Sequence, residues 1–326
     1  MAIKVLLIGA GQIGSRHLQG LKPFSQPLEL TVVDPSKESL ALAKERYEAF
    51  GGQNHHSVQY LTGLDQVSQS TFDVILVTTN SGVREAVLDQ ILHAKSCKYL
   101  ILEKVLFSQK KAYQKFDDIF NQLNIQAFVN CPMRLQQCER EIFDVFQMAS
   151  FDFTLTGAEY GLACNSVHFA DFLCWVAGET QFKVNFDPHA IEVFESKRPG
   201  YLELSGKIEL EFSKNRKASF QHDRGLTAFA QYSIQNSDHR FEVLRNKNTY
   251  TYSTSKNLWQ QQEKKLVTLF QSQLSHSYLD KLLSGEELGL VNYSDSATIH
   301  EHLYFPLADF VNQSGKNSTP YEIPFT

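Results

Sequence analysis

The chain has no apolar run near the roughly 20 residues a membrane span requires. It also has no C-x-x-C pair, no low-complexity tract, no internal repeat and no surplus of basic residues. Each absence removes a class of protein. A membrane protein is not expected. A formal net charge of −5 provides no electrostatic footprint for nucleic acid. The five cysteines, Cys97, Cys131, Cys138, Cys164 and Cys174, are odd in number and lack zinc-type spacing. Neither a disulfide framework nor a metal site is therefore indicated, and a reducing cytoplasm is the simplest location. Lys4 and the apolar run to Ile8 are too short for a secretory leader, and glycine-rich helix sequence stands where a cleavage site would be. His55-His56 lies on a Gly/Asn-rich stretch and reads as a solvated loop rather than a pair of metal ligands.

What is present is ordinary soluble composition, 42% hydrophobic and 21% charged over 326 residues, enough for about two domains. The most informative segment is Ile3-Lys4-Val5-Leu6-Leu7-Ile8-Gly9-Ala10-Gly11-Gln12-Ile13-Gly14. A short apolar run ends there in G-x-G-x-x-G. Gly9 permits a tight strand-to-helix turn, Gly11 leaves the backbone open to a pyrophosphate, and Gly14 lets the helix pack closely on the strand. The helix start then offers N–H groups and partial positive charge to phosphates. Helix-compatible sequence follows, then Leu28–Val33 and Asp34, 20 residues beyond Gly14, where an acid meets the ribose hydroxyls. A carboxylate repels a 2′-phosphate and no arginine follows it directly, so NAD is expected over NADP. In the alternative reading Asp34 ends a strand and Ser36 caps the next helix.

Residues 1–130 alternate strand candidates (3–8, 28–33, 57–61, 72–78, 98–103, 125–130) with helical stretches near 13–22, 36–49, 83–95 and 109–123. This predicts an α/β Rossmann domain, a doubly wound parallel sheet, with ligands beyond the carboxyl ends of its strands. Gly9, Gly11, Gln12, Ile13, Gly14, Thr78, Thr79, Asn80, Glu103, Lys104 and Asn130 would share that rim. The second half predicts helices at 134–149 and 166–177, strands at 151–160, 189–195, 201–213, 217–223, 228–236, 239–245 and 248–254, and helices at 264–283 and 295–312. From Tyr201 to Phe212 apolar and polar residues alternate, as in an antiparallel sheet with one wet face. The expected division is an NAD-binding Rossmann domain over 1–128 and a substrate-binding and dimerisation domain over 129–326. The latter is an α+β domain on a large, mostly antiparallel open sheet, whose uncovered face invites a homodimer or homotetramer.

Two elements carry chemistry. Glu103-Lys104 closes a strand on the rim. An ammonium there can hydrogen-bond a substrate oxygen, and partial burial lowers a lysine pKa; taken alone, such a pair is usually a solvated strand end. The second element is the helix after Tyr160, nearly apolar from Val167 to Ala177 except for His168 and Asp171 at i and i+3. Asn165 is its N-cap candidate, which places His168 in the first turn, where the helix dipole favours neutral imidazole. A core histidine held by Asp171 is the alternative.

G-A-G-Q-I-G-S-R-H ending at His17, Asp34, E-K at 103–104, N-S-V-H-F-A-D at 165–171 and Tyr321-Glu322-Ile323-Pro324-Phe325-Thr326 resemble the Gfo/Idh/MocA sugar oxidoreductases. The resemblance implies a Rossmann domain joined to an open-sheet domain, action on sugars, cyclitols or related polyols, and acid/base roles for Lys104 and His168. Two positions depart from the family. Val105 stands where proline, often with a cis bond, is common; a non-proline cis bond is costly, so a differently shaped turn is expected. Cys164 stands where aspartate often precedes the histidine. Ala163–Phe169 and Asn130–Arg134 resemble a branch associated with bacterial surface-glycan and acidic-sugar biosynthesis.

The function that follows is NAD(H)-dependent hydride transfer at a hydroxyl or carbonyl carbon of a sugar, sugar acid or nucleotide-sugar. Lys104 would hold the reacting oxygen and help move its proton, with His168 as partner or alternative acid/base. Asn165 would orient the substrate. Asn130, Arg134 and Tyr160 would contact hydroxyl or carboxylate groups, although Arg134 also reads as a solvated helix start. Two alternatives remain: transient oxidation serving elimination or epimerisation, and a cofactor-binding regulatory or scaffold protein without catalysis.

Overall fold

The computed structural model describes residues 2–158, 160–225 and 229–326. Its first elements are β1 (Ile3–Ile8), α1 (Gln12–Leu21), β2 (Leu28–Val33), α2 (Lys37–Ala49), β3 (Ser57–Leu61), β4 (Thr71–Val77), α3 (Ser81–Ala94), β5 (Ser96–Leu102), α4 (Lys111–Gln122) and β6 (Gln126–Val129). Then come α5 (Gln137–Phe146), β7 (Phe151–Gly157), α6 (Leu162–Ala177), β8 (Lys183–Asn185), β9 (Glu192–Glu195), β10 (Leu202–Phe212), β11 (Arg216–His222) and β12 (Gln231–Gln235). The last are β13 (His239–Leu244), β14 (Thr249–Thr254), β15 (Gln262–Lys265), α7 (Ser275–Ser284), β16 (Val291–Asn292) and α8 (Tyr293–Gln313). The expected strands over 151–160 and 228–236 touch Glu159 and Ala228, which lie outside the described residues.

The chain divides into two compact units. The first runs to Phe107 and adds Lys111–Asn130 and Leu269–Tyr293; the second holds Ser108–Lys110, Cys131–Thr268 and Ser294–Thr326. The first unit thus takes in 269–293 from the second half of the chain. The expected helix over 264–283 is corrected accordingly: 262–265 is strand β15, and only 275–284 is helical as α7. A β-strand pairs by its backbone whatever its side chains, so the charged Gln262–Lys265 run carries no apolar period to reveal it.

In the first unit the sheet order is β16-β6-β5-β4-β1-β2-β3. All pairings are parallel except β16 with β6. This is the doubly wound arrangement, with order reversing between β1 and β4. The apolar runs of β1 and β4 are buried almost throughout, as strands covered on both faces must be. His56 is no solvated loop residue: its Nδ1 accepts the Leu28 N–H at 3.1 Å, and Nε2 lies 3.2 Å from the Lys22 carbonyl oxygen.

In the second unit a nine-stranded sheet runs β15-β14-β13-β12-β7-β11-β10-β8, with β9 also on β10. Among the described residues only β7 and β11 pair there in parallel. Phe151, Phe153 and Leu155 of β7 are buried while Asp152 and Thr154 are exposed, so one face carries the core. Phe169 of α6 packs there against Phe153, Phe220 and Tyr232. α6 stops at Gly178, which is in the left-handed region at φ 69° and returns its N–H to the Cys174 and Trp175 carbonyls.

Candidate functional site

The glycine turn of the first unit has the geometry a dinucleotide needs. Gly9 stands at φ 95°, a conformation glycine takes without steric cost. A Cβ on Gly14 would lie 1.8 Å from the Gly9 carbonyl oxygen, so only glycine lets α1 approach the turn this closely. A Cβ on Gly11 would meet nothing within 4 Å: it would enter the open space that a pyrophosphate requires. Gly11 is the N-cap of α1, and no side chain caps that terminus, so the N–H groups beyond it, at Gln12 and Ile13, suit an anion. Thr78 closes the turn from β4, its Oγ1 donating to the Gly9 carbonyl at 2.6 Å.

Asp34 has a structural role beside any cofactor contact. Its Oδ2 accepts the Ala10 N–H at 2.7 Å and its Oδ1 the Ser36 N–H at 2.8 Å. The carboxylate therefore ties the glycine turn to the end of β2, and each oxygen keeps a lone pair for a ribose hydroxyl. Ser36 caps α2 by accepting the Ser39 N–H at 3.1 Å.

Lys104 is half-buried directly after β5. The Lys104–Val105 peptide bond is cis, so the departure expected at Val105 does not extend to the bond itself. The following carbonyls are gripped by Arg84, a fully buried guanidinium of α3. It donates to Val105, to Leu106 at 2.7 Å and to Thr79. Asn80 is the N-cap of that helix. Nothing local in the sequence marks Arg84, because its partners come from two other strand ends.

Glu103 points into a buried polar network. Its Oε1 accepts from His17 Nε2 at 3.0 Å and from Asn130 Nδ2 at 2.5 Å. The other ring nitrogen of His17 lies 3.0 Å from Ser275 Oγ and 3.1 Å from Gln271 Nε2. Tyr278 donates to Asn130 Oδ1 at 2.9 Å, and Asn130 donates to Gln271 Oε1 at 2.8 Å. Burial alone would raise the Glu103 pKa. The hydrogen bond and charge of His17, the Asn130 amide and the Lys104 charge outweigh it and hold the carboxyl below the usual glutamate range. Asn130 was expected to contact substrate, but both ends of its amide are occupied within this network. Glu103 and Asn130 thus buttress the strand end that carries Lys104.

In the second unit α6 begins one turn earlier than expected. Gly161, at φ 75°, is the N-cap, not Asn165. Asn165 lies inside the helix and donates its amide to the Tyr160 carbonyl. His168 consequently sits in the second turn, half-buried, where the dipole acts less strongly. The helix start is capped from β10 by Glu203, which accepts the Ala163 N–H and, at 3.2 Å, the Cys164 N–H. A carboxylate therefore stands at the Cys164 amide although the sequence has none at that position.

Arg134 is half-buried, and its guanidinium is paired with a carboxylate of its own unit. It grips Asp171 through Nε at 2.9 Å and Nη2 at 2.6 Å. Burial would lower its pKa, but the charge and hydrogen bonds of Asp171 raise it, so the guanidinium stays charged. Among the described residues no group of three or more His, Cys, Asp or Glu is placed to hold a metal ion. No described helix is long and apolar enough to cross a membrane.

The sequence matches no protein-family model, and no curated protein sequence matches it. Solved structures do match over nearly the whole chain. An oxidoreductase from Agrobacterium radiobacter in complex with NAD+, L-tartaric acid and magnesium is 11% identical, with a TM-score of 0.71 over 96% of this chain and 97% of that one. A 3-ketoreductase from Actinomadura kijaniata in complex with NADP is 15% identical, with a TM-score of 0.66 over 92% and 95%. A transcriptional regulator from Kluyveromyces lactis is 15% identical, with a TM-score of 0.66 over 98% and 91%. At these identities the likeness is one of fold, and the expected pairing of a Rossmann unit with an open-sheet unit is present.

Proposed function

We propose that the protein is a Gfo/Idh/MocA-type oxidoreductase that binds NAD(H) and acts at a CH–OH or carbonyl carbon of a sugar-type substrate. The carrying observation is the glycine turn. Its positive-φ Gly9, its contact-limited Gly14, the open space at Gly11 and the uncapped start of α1 together fit a pyrophosphate. When bound, the nicotinamide supplies the hydride acceptor or donor. Lys104 holds the reacting oxygen and moves its proton, kept in place by the Arg84 clamp and the Glu103 network. His168 is the second acid/base group, and Asn165 steadies the chain that leads into its helix. Arg134 and Asn130 are positioning residues in this reading. Acidic Asp34 favours NAD over NADP. The protein works in the cytoplasm and self-associates through the polar face of the nine-stranded sheet, around Asp152, Thr154 and Ser233.

Titration with NADH and NADPH, read by energy transfer from Trp175 and Trp259, tests this. Tight NADH binding with weaker NADPH binding is expected. Absence of binding in folded protein free of nucleotide would leave the regulatory reading in front, which the fold of the Kluyveromyces regulator accommodates. Sedimentation equilibrium at the mass of one 37.1 kDa chain would remove the self-association.

A further inference from the structure

Two neighbouring residues of the second unit each bury a polar atom with no hydrogen-bond partner among the described residues. They are the Tyr160 hydroxyl and Nδ1 of His222. The residues are 8% and 4% exposed, and their rings meet edge to face with centroids 5.5 Å apart. Burying polar atoms unpaired opposes folding, so such a pair calls for an occupant.

Burial lowers the His222 pKa, against the opposing effects of the nearby Ala158 backbone and of the Asp223 and Glu192 charges, and favours the neutral ring. With its proton on Nε2, that ring offers Nδ1 as an acceptor. Burial, then the Glu203 charge, raises the Tyr160 pKa, so the phenol remains a donor. The position is also fixed. The His222 carbonyl accepts from Ser205 Oγ at 3.0 Å, and β11 pairs His222 with Gly157 and Gly206 on its two sides. Phe194 stacks against His222 at 6.4 Å. Tyr160 immediately precedes the helix that bears Asn165 and His168. A donor and an acceptor beside an aromatic face is the composition of a polyol site.

We propose that Tyr160 and His222 form a hydroxyl-reading subsite. One substrate hydroxyl accepts from the Tyr160 O–H and donates to His222 Nδ1, and the pair thereby selects among sugar stereoisomers. That the ligand is a polyol rests on the oxidoreductase reading above. His222 was not singled out in the sequence, because only the parallel pairing of β7 with β11 brings it to Tyr160.

Equilibrium dialysis with labelled myo-inositol, D-glucose and D-galactose, with and without NADH, tests the subsite. At least one probe is expected to bind the wild-type protein, and Tyr160→Phe and His222→Leu each to weaken it about tenfold. The double variant should be no weaker than the weaker single, because one hydroxyl joins both groups. His222→Asn, whose carbonyl can stand in for Nδ1, should recover part of the affinity and covers the case in which His222→Leu does not fold. Unchanged affinity in Tyr160→Phe and His222→Asn, additive losses, or no probe bound at about 100 mM would overturn the subsite. Probe binding sensitive to both residues without NADH binding would sink the oxidoreductase reading and keep the subsite. NADH binding with probe affinity indifferent to both residues would do the reverse.

Discussion

His17 Nε2 lies 3.0 Å from Glu103 Oε1, with both side chains almost wholly buried. The contact joins α1, which the glycine turn starts, to the end of β5, where Lys104 follows. Asn130, Gln271, Ser275 and Tyr278 complete the network from β6 and the segment around α7. One polar cluster thus holds both the cofactor-type turn and the lysine in register.

Glu103→Gln should destabilise the protein by roughly 2 kcal/mol at pH 7, the scale of hydrogen bonds to a buried charge. The folded pKa is depressed, so the stabilisation is present above the ordinary value of 4.5 and is lost as pH falls through the lower folded value. Thermal melts should show a full gap between wild type and variant at pH 7, closing below about pH 4.5. A gap that widens in acid would contradict this assignment.

Gly11→Ala and Gly14→Ala should separate binding from folding. The Gly14 Cβ would strike the Gly9 carbonyl oxygen at 1.8 Å, so that variant should lose about 2–3 kcal/mol or more. The Gly11 Cβ meets nothing within 4 Å; that variant should melt near wild type yet lose NADH binding. Calorimetry and cofactor titration on both proteins check the contrast.

Lys104→Met should keep NADH affinity and lower turnover by about 10²–10⁴, the range for a lost general acid/base. Arg84→Met should lower both stability and turnover, since Arg84 donates to the carbonyls of Val105 and Leu106. Undiminished turnover in Lys104→Met would remove that lysine from the reaction.

Arg134→Leu should cost about 3–5 kcal/mol, because it strands the buried Asp171 carboxylate. Arg134→Leu with Asp171→Leu together should recover part of that loss. A stable single variant with weakened substrate binding would restore Arg134 to the ligand side.

The glycine turn was legible because each of its glycines answers a local steric demand. The alternation of β10 was legible for a similar reason: strand period and burial act over a few residues. Asn165 misled as a cap because the positive φ of Gly161 and the Glu203 carboxylate begin the helix a turn earlier. Gln271, Ser275 and Tyr278 left no trace beside the glycine turn, since segments so far apart carry no mutual signal.

By itself the sequence determined the sheet periods, the glycine turn, the acid after β2 and the lysine after β5. Backbone sterics and side-chain alternation are properties of neighbouring residues. Only the tertiary structure decided the partners: Arg134 for Asp171, Ser275 for His17, Glu203 for the start of α6 and His222 for Tyr160. Those choices depend on which strands and helices are brought side by side, and a buried polar group takes the partner that topology delivers.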